Sequence, residues 1–157
     1  MFQDTDYNFA LLKPTAQSST LRHSDVGYFL SKYAVDGIKA DSCKTTGIAS
    51  CAHLSSVENQ WWRVDFQILI PVARVVFTNR KDYPGHNGLA NFEIKIGNSL
   101  ENEGRNNPKC GGQHSVPHAE TKEISCLPPL IGRYLVVQSF HSQLLLIIEI
   151  EVFAAGL

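Results

Sequence analysis

The chain has 157 residues, a length typical of one domain that can bury its own core. Hydrophobic residues make up 43% of it and charged residues 18%, which is a globular composition and argues against disorder. The formal net charge is −1 and the lysines and arginines are scattered, so the charge pattern argues against nucleic-acid binding and against attraction to an anionic membrane. We therefore predict a single domain over residues 1–157.

The N-terminal residues 1–14 are not typical of a targeting signal. They carry acidic residues where a signal peptide needs basic ones, and they lack a long apolar centre. The longest strongly apolar run, residues 144–148, is far shorter than the roughly 20 residues that cross a bilayer. We expect no membrane insertion.

In the rest of the chain, the dominant pattern is an alternation of apolar and polar residues with a period of two. Apolar residues alternate with Glu93 and Lys95 in residues 92–96, and with Glu149 and Glu151 in residues 148–152. This pattern predicts half-buried strands. Further β-rich runs lie at 61–70, 72–78, 121–126 and 133–140, and Gly, Pro and Asn clusters separate them. Helical periodicity is weak and the intervals are too short for crossover helices, so we predict an all-β fold, an antiparallel β-sandwich of the jelly-roll type.

Two polar stretches, residues 36–56 and 97–118, are predicted to be long loops. Each contains or ends near a cysteine pair. Loops of this length in a compact domain are usually functional or disordered, and the cysteines indicate that these two are held in place.

Four cysteines, Cys43, Cys51, Cys110 and Cys126, lack the C-x2-C spacing of zinc sites, which favours disulfides. Four cysteines allow three pairings. The local pairing would close one tight loop and one of about 15 residues, the second contributing ~3 kcal/mol through loop entropy. Disulfides favour an oxidising, extracellular compartment.

Residues 59–65 (NQWWRVD), followed by apolar strands and by residues 79–82 (NRKD), closely resemble the F-type lectins, or fucolectins, a branch of the discoidin-like sandwiches. The resemblance covers most of the chain, since further family landmarks follow in family order at residues 16–19, 34–37, 92–97, 106–110, 120–122 and 131–134. It implies the F-type lectin fold and a non-catalytic sugar-binding function.

The family's sugar motif is a histidine, 26 intervening residues, Arg-x-Asp, four residues, and then Arg or Lys. His53, Arg80 and Asp82 match the first three positions, whereas the fourth is Asn87, with His86 beside it. The resemblance implies that Arg80 donates to ring hydroxyls, that Asp82 orients Arg80, and that His53 bonds an axial hydroxyl. Because Asn87 is short and uncharged, we expect weaker binding or a shifted sugar preference.

By position, apolar contacts to the sugar would come from the loop tips. Tyr83 follows the motif directly, and Leu21 is predicted to be an apolar wall for the sugar face. Asp25 and the loop around Ile48 are predicted to complete the rim.

The resemblance also implies a structural Ca²⁺ near the sugar loops, held by oxygen ligands as calcium prefers. Carboxylates would come from Asp36 and Glu149, carbonyls from Tyr33, Ile38 and Ile148, and a carbonyl or hydroxyl from Ser50. The family alignment further implies the Cys110–Cys126 bridge directly and makes Cys43 the substitute partner for Cys51.

A plainer interpretation exists for each of these residues. His53 alone is typical of a packing or surface histidine, and Arg80 with Asp82 is typical of an ion pair at a strand end. Asp36 and Glu149 by pattern alone are exposed carboxylates. We predict core or sheet-packing roles for Trp61 and Trp62, and a solvated loop for His114 and His118.

The implied function is a secreted lectin for terminal fucose or a related sugar, with fucosylated glycans as partners, in cell recognition or innate immunity. Such lectins gain avidity by oligomerising, and the resemblance favours a homotrimer. The alternative is a discoidin-like module that binds protein or phospholipid and has lost fucose binding through Asn87, with Tyr28, Phe29 and Leu30 as its apolar contacts. An enzyme is least favoured, because no nucleophile elbow, phosphate loop or zinc-protease spacing occurs.

Overall fold

The computed structural model describes residues 6–156, so the first five residues of the N-terminal stretch lie outside it. Strands are the main regular structure of the described chain, with one single-turn 3-10 helix at Ser31–Ala34 and a turn at Glu101–Gly104, in which Asn102 and Glu103 have positive φ. In chain order the strands are β1 Thr15–Gln17, β2 Arg22–His23, β3 Gly27–Tyr28, β4 Lys44–Thr45, β5 Ile48–Ala49, β6 Ala52–His53, β7 Trp61–Thr78, β8 Phe92–Gly97, β9 Thr121–Ser139, β10 Leu146–Ile147 and β11 Glu149–Ala154.

The long strands β7 and β9 pair antiparallel along most of their length and contribute to both layers. Their register breaks between Asp65 and Ile70 and again between Val72 and Arg74. Before the breaks β7 pairs with β1, and after them it pairs with β11, while β8 pairs with the C-terminal part of β9. These breaks let one strand pair bend from one layer of the sandwich into the other.

The core lies between the two layers and is built from inward-facing residues of both. Phe77 of the later part of β7 meets Phe92 of β8, with ring centroids 4.9 Å apart. Trp62 is fully buried and its indole N–H donates to the Ser31 carbonyl at 3.0 Å, which confirms the core role predicted for it. Burial of each such side chain stabilises the fold by roughly 1.5–3 kcal/mol. The predicted antiparallel β-sandwich is thus confirmed.

Two features of the strands differ from the prediction. The runs predicted as separate strands on either side of residue 71, and on either side of residues 127–132, are single continuous strands. The predicted alternation is also wrong at Lys95 and Glu149, which are 8% and 0% exposed. Lys95 is covered because its amine donates to Gln138 and lies 5.7 Å from the centre of the Phe140 ring.

Both predicted disulfides are present, Cys43–Cys51 and Cys110–Cys126. The first ties the β4–β5 hairpin to the residue that precedes β6, and the second ties the loop at residues 97–118 to β9. The two polar stretches therefore run as loops with only short elements in them, as predicted.

The loops meet at one end of the sandwich, where β7 ends. The N–H of Lys81 donates to the Asp41 carbonyl at 2.7 Å, and the N–H of Leu21 donates to the His53 carbonyl at 2.9 Å. β6 also pairs with β10, through His53 and Leu146. Three loop segments are thereby fixed around the end of β7. No helix within residues 6–156 is long and apolar enough to cross a membrane.

Candidate functional site

The turn after β7 fixes the backbone of Arg80. Asn79 is 1% exposed, and its side chain donates to the Val116 carbonyl at 3.1 Å and accepts from the backbone N–H of Arg80 at 2.9 Å. The Arg80 carbonyl in turn accepts from the N–H of Ala119 at 2.9 Å. The Arg80 side chain therefore leaves a backbone that is held on both sides.

Arg80 and Asp82 form a two-point ion pair. Nε of Arg80 donates to Oδ1 of Asp82 at 2.9 Å, and Nη2 donates to Oδ2 at 3.4 Å. The Arg80 side chain is only 11% exposed, whereas that of Asp82 is 43% exposed. The planar guanidinium has five N–H donors, so after this pairing it still has donors for a ligand, held in a fixed direction.

His53 is a buried, neutral histidine. Its Nδ1 lies 2.8 Å from the Leu54 carbonyl, which can only accept, so Nδ1 carries the proton and Nε2 has a lone pair. Burial lowers its pKa from 6.5 to about 4, and the bond to the Leu54 carbonyl opposes this shift. A proton on His86 and the charge of Arg80 act in the same direction as burial. At neutral pH the His53 ring thus offers an acceptor.

His86 lies against His53, with ring centroids 5.7 Å apart and planes inclined by 26°. Its Nε2 lies 3.1 Å from the Leu144 carbonyl. Burial lowers the pKa of His86, and the charges of Arg80 and His141 lower it further, against the effect of the Leu144 carbonyl. The sequence motif did not identify His86, although it stands next to the fourth motif position.

These side chains line one pocket of about 480 Å³ at the loop end of the sandwich. His53, Arg80, Asp82 and His86 form its polar part. The rest of the wall includes Leu21, Phe29, Tyr83 and Leu144. His23 of β2 and Lys44 of the β4–β5 hairpin also line the pocket. An apolar wall beside a few convergent polar groups is the usual composition of a small-ligand site.

Of the predicted sugar contacts, the structure brings together His53, Arg80, Asp82, Tyr83 and Leu21, but it places Asn87 outside the pocket lining. Oδ1 of Asn87 accepts from Asn79 and from the N–H of Leu89, both at 3.0 Å, and Nδ2 donates to the Val116 carbonyl at 3.1 Å. The side chain of Asn87 is therefore bonded to its own loop and to Val116 of the loop at residues 97–118.

The rim differs in part from the prediction. Asp25 lies near His23 and Lys44, with carboxylate distances of 3.7 Å and 3.9 Å. Ile48 is 62% exposed and is not part of the lining. Phe29, only 3% exposed, belongs to the pocket wall, whereas Tyr28 is 55% exposed.

A larger cleft of about 700 Å³ lies elsewhere on the described surface, between residues 12–15 and 30–36. None of the predicted sugar contacts lines it. We assign the site to the smaller pocket, because its histidines and ion-paired arginine converge there.

The predicted calcium ligands include an acidic pair, in which Glu149 is buried and Asp36 is half-buried. Oε2 of Glu149 accepts from the N–H of Gly37 at 2.8 Å, while its buried Oε1 has no hydrogen-bond partner within residues 6–156. Gly37 has φ +83°, a left-handed conformation that glycine adopts without strain. Burial, together with the charge of Asp36, raises the pKa of Glu149 to about 9, against the effect of the Gly37 N–H. A buried carboxylate with an unpaired oxygen next to a second carboxylate fits a cation.

The other predicted ligands lie on neighbouring segments. Ile38 donates its N–H to Asp36, and the Ser50 hydroxyl donates to the Ile48 carbonyl at 3.2 Å. Ile148 is buried in a small apolar cluster with Cys43 and Cys51, against which Tyr33 packs. The described residues hold no group of three or more His, Cys, Asp or Glu side chains suited to a metal, so an ion here would depend on carbonyl oxygens as well.

The family described as "NedA-like, galactose-binding domain" matches residues 33–137. The chain is 37% identical over 148 residues to fucolectin-5 of Anguilla japonica, covering 94% of this chain and 76% of the eel protein.

Solved structures of a fucolectin and of a fucose-binding module are also similar to this chain. A fucolectin from striped bass (Morone saxatilis) serum superposes with a TM-score of 0.81 at 30% identity, over 98% of this chain and 49% of that one. The chain thus spans about half the length of the bass protein. A fucose-binding module of Streptococcus pneumoniae superposes with a TM-score of 0.71 at 26% identity, over 96% and 98% of the two chains.

Proposed function

Since the chain belongs to the fucolectin family of F-type lectins, we propose that it is a lectin that binds terminal fucose or a closely related sugar on glycans. No bond is made or broken in this function. The observation that carries the proposal is the convergence of His53, Arg80 and Asp82 in one pocket. The name fucolectin of the eel relative and the fucose-binding bacterial module support the choice of sugar.

Recognition follows from the hydrogen-bonding character of these groups. Sugar hydroxyls both donate and accept, so a fixed donor and a fixed acceptor distinguish one arrangement of hydroxyls from another. Arg80, held by Asp82, donates charge-assisted bonds, and Nε2 of His53 accepts. The apolar face of the sugar and a methyl group would pack on Leu21, Phe29 and Tyr83.

We also propose a structural Ca²⁺ held by Asp36 and Glu149, with oxygen ligands from Tyr33, Ile38, Ser50 and Ile148. The ion would neutralise two carboxylates that otherwise repel each other in a buried site. Asp36 belongs to the loop at residues 36–56, which also carries β6 and His53. A cation between this loop and Glu149 of β11 would therefore hold one wall of the sugar pocket in position.

The remaining parts of the proposal concern the surroundings of the protein. Two disulfides support an extracellular protein. Shallow sugar sites bind weakly, so we expect a homo-oligomer, with a trimer favoured by the resemblance to the family, and fucosylated glycans as partners. We propose that residues 1–157 form one sugar-binding domain.

The alternative, a protein- or phospholipid-binding module, depended on the loss of sugar binding through Asn87. This support is weakened, since Asn87 does not line the pocket. Of the three apolar residues predicted to make its contacts, Tyr28 and Leu30 are exposed, whereas Phe29 is buried in the pocket wall.

Calorimetric titration with L-fucose and D-galactose in calcium tests the function. We expect the parent chain to bind fucose and the Arg80→Ala variant to show no binding, because it loses the charged donor. The Lys81→Ala variant is the matched control, since Lys81 is 59% exposed and pairs with Asp41 outside the pocket. A parent chain that binds neither sugar would be tested on a glycan array, and no binding there would favour the alternative.

A further inference from the structure

We propose that His86, rather than Asn87, is the fourth polar group of the sugar site, and that it contacts the sugar as a neutral hydrogen-bond acceptor. This inference rests on the proposed function and adds to it the direction of one hydrogen bond. The family motif has a basic residue, and hence a donor, at the neighbouring position, so the inference reverses the polarity of that contact.

The position of the two side chains supports the first half of the inference. His86 is part of the pocket wall and stacks on His53 at 5.7 Å between ring centroids. Both polar atoms of the Asn87 amide are bonded to protein groups, on Asn79, Leu89 and Val116, and these bonds hold the side chain out of the pocket lining. The loop thus presents the residue before the motif position to the pocket.

The hydrogen bond to Leu144 fixes the tautomer of His86. A carbonyl oxygen can only accept, so the Nε2 that lies 3.1 Å from it carries the proton. In the neutral ring Nδ1 then has a lone pair, and it has no hydrogen-bond partner in the described part of the chain. His53 is fixed in the opposite tautomer by Leu54, with its acceptor at Nε2. The pocket therefore combines one fork of donors, on Arg80, with two acceptor nitrogens.

The charges around His86 support its neutral form. The groups that face it or line the same pocket are His53 on β6, Arg80 and Asp82 after β7, His141 in the loop before β10, and His23 and Lys44 at the hairpin side. The one carboxylate among them, Asp82, is paired with Arg80. A proton on His86 would add a positive charge beside Arg80 with no free carboxylate near, and burial lowers the pKa of His86 in the same direction.

The consequence is a rule about the ligand. A basic residue can bond a sugar oxygen that accepts only, whereas an acceptor nitrogen requires a hydroxyl that donates. Replacing that hydroxyl by fluorine keeps the size and removes the donated proton. One monodeoxyfluoro derivative of fucose should therefore lose affinity for the parent chain through His86.

The test combines protein and ligand changes in calorimetric titrations. His86→Phe keeps a ring against His53 and removes both nitrogens, while His86→Asn keeps an oxygen acceptor near the position of Nδ1. We expect His86→Phe to bind fucose about tenfold more weakly, the value of one well-made hydrogen bond, and His86→Asn to stay within about threefold of the parent. Thermal unfolding of each variant shows whether the fold is intact.

The fluorinated sugars isolate the contact. We expect one of them to bind the parent about tenfold more weakly than fucose, and this difference to disappear in His86→Phe, as in a double-mutant cycle. Parent-like affinity in a folded His86→Phe, or a fluorine penalty that persists unchanged in it, overturns the role of His86 and leaves the lectin function standing. A parent chain that binds no fucose overturns both.

Discussion

The proposed sugar pocket and the acidic pair Asp36–Glu149 each contain buried ionisable groups, yet they differ in how far the protein itself satisfies these groups. In the pocket, Arg80 is paired with Asp82, and His53 and His86 each donate to a carbonyl. In the acidic pair, Oε1 of Glu149 is buried without a partner within the described range. The difference indicates a pocket whose polar groups are held in place before a ligand arrives, and an acidic pair whose unpartnered oxygen is the basis of our calcium proposal.

The largest expected effect concerns His53, the most perturbed group of the pocket. Its pKa is about 4 in the folded chain and 6.5 when exposed, so below pH 6.5 the unfolded state binds more protons. The free energy of unfolding should therefore fall as the pH decreases from 6.5 to 4, and His53 should account for up to about 3 kcal/mol of this fall. Above pH 6.5 the contribution of His53 should not depend on pH.

Denaturant titrations across this pH range, on the parent and on His53→Asn, measure the contribution. Asn cannot titrate, and its amide can still donate to the Leu54 carbonyl. The free energy of unfolding should therefore fall less steeply below pH 6.5 in the variant than in the parent. An equally steep slope in both proteins would mean that His53 is not buried in its neutral form.

The second effect concerns the acidic pair. Calcium at 100 times its dissociation constant should raise the free energy of unfolding by about 2.7 kcal/mol, because it binds the folded state alone. Glu149→Gln should lose most of this gain, since the amide has no charge. Its matched control is Glu151→Gln, two residues along the same strand, where the carboxylate pairs with Lys39 at 3.1 Å.

Thermal unfolding with calcium and with a chelator, on all three proteins, provides the measurement. Calcium should stabilise the Glu151→Gln control as much as it stabilises the parent. Equal unfolding temperatures for the parent in calcium and in chelator would remove the calcium proposal, and the unpaired oxygen of Glu149 would then need another explanation.

The difference between the two regions also explains what could be predicted from the sequence. The strands at residues 92–96 and 148–152 followed from alternation, because one face of each lies on the core. Glu149 and Glu151 look alike in that alternation. The structure separates them, because Glu149 is buried and accepts from the N–H of Gly37, in a turn from a distant part of the chain.

The pocket shows a similar limit. The spacing of His53, Arg80 and Asp82 identified three residues that lie together, since each stands on a strand end or just beyond one. The fourth position lies in a loop, where counting residues does not fix which side chain points inward. There the bonds of Asn87 to Asn79, Leu89 and Val116 decide, and they leave the pocket wall to His86.

The smallest expected effect tests the preorganisation of the pocket itself. Asp82→Asn keeps the size of the side chain but removes the charge that directs Arg80, so the guanidinium must be ordered when sugar binds. Because Asp82 is 43% exposed, the change should cost less than about 1 kcal/mol of stability. Affinity for fucose should fall about fivefold, a smaller loss than in Arg80→Ala, since the donor itself is kept.

Calorimetry on Asp82→Asn, with Asp41→Asn as control, separates the two contributions of the carboxylate. Asp41 pairs with Lys81 at 3.3 Å, one residue away from Arg80 but outside the pocket, and its loss should leave the affinity unchanged. Parent-like affinity in Asp82→Asn would show that the turn around Asn79 orders Arg80 without the ion pair. An equal fall in both variants would assign the effect to the net charge of the loop end instead.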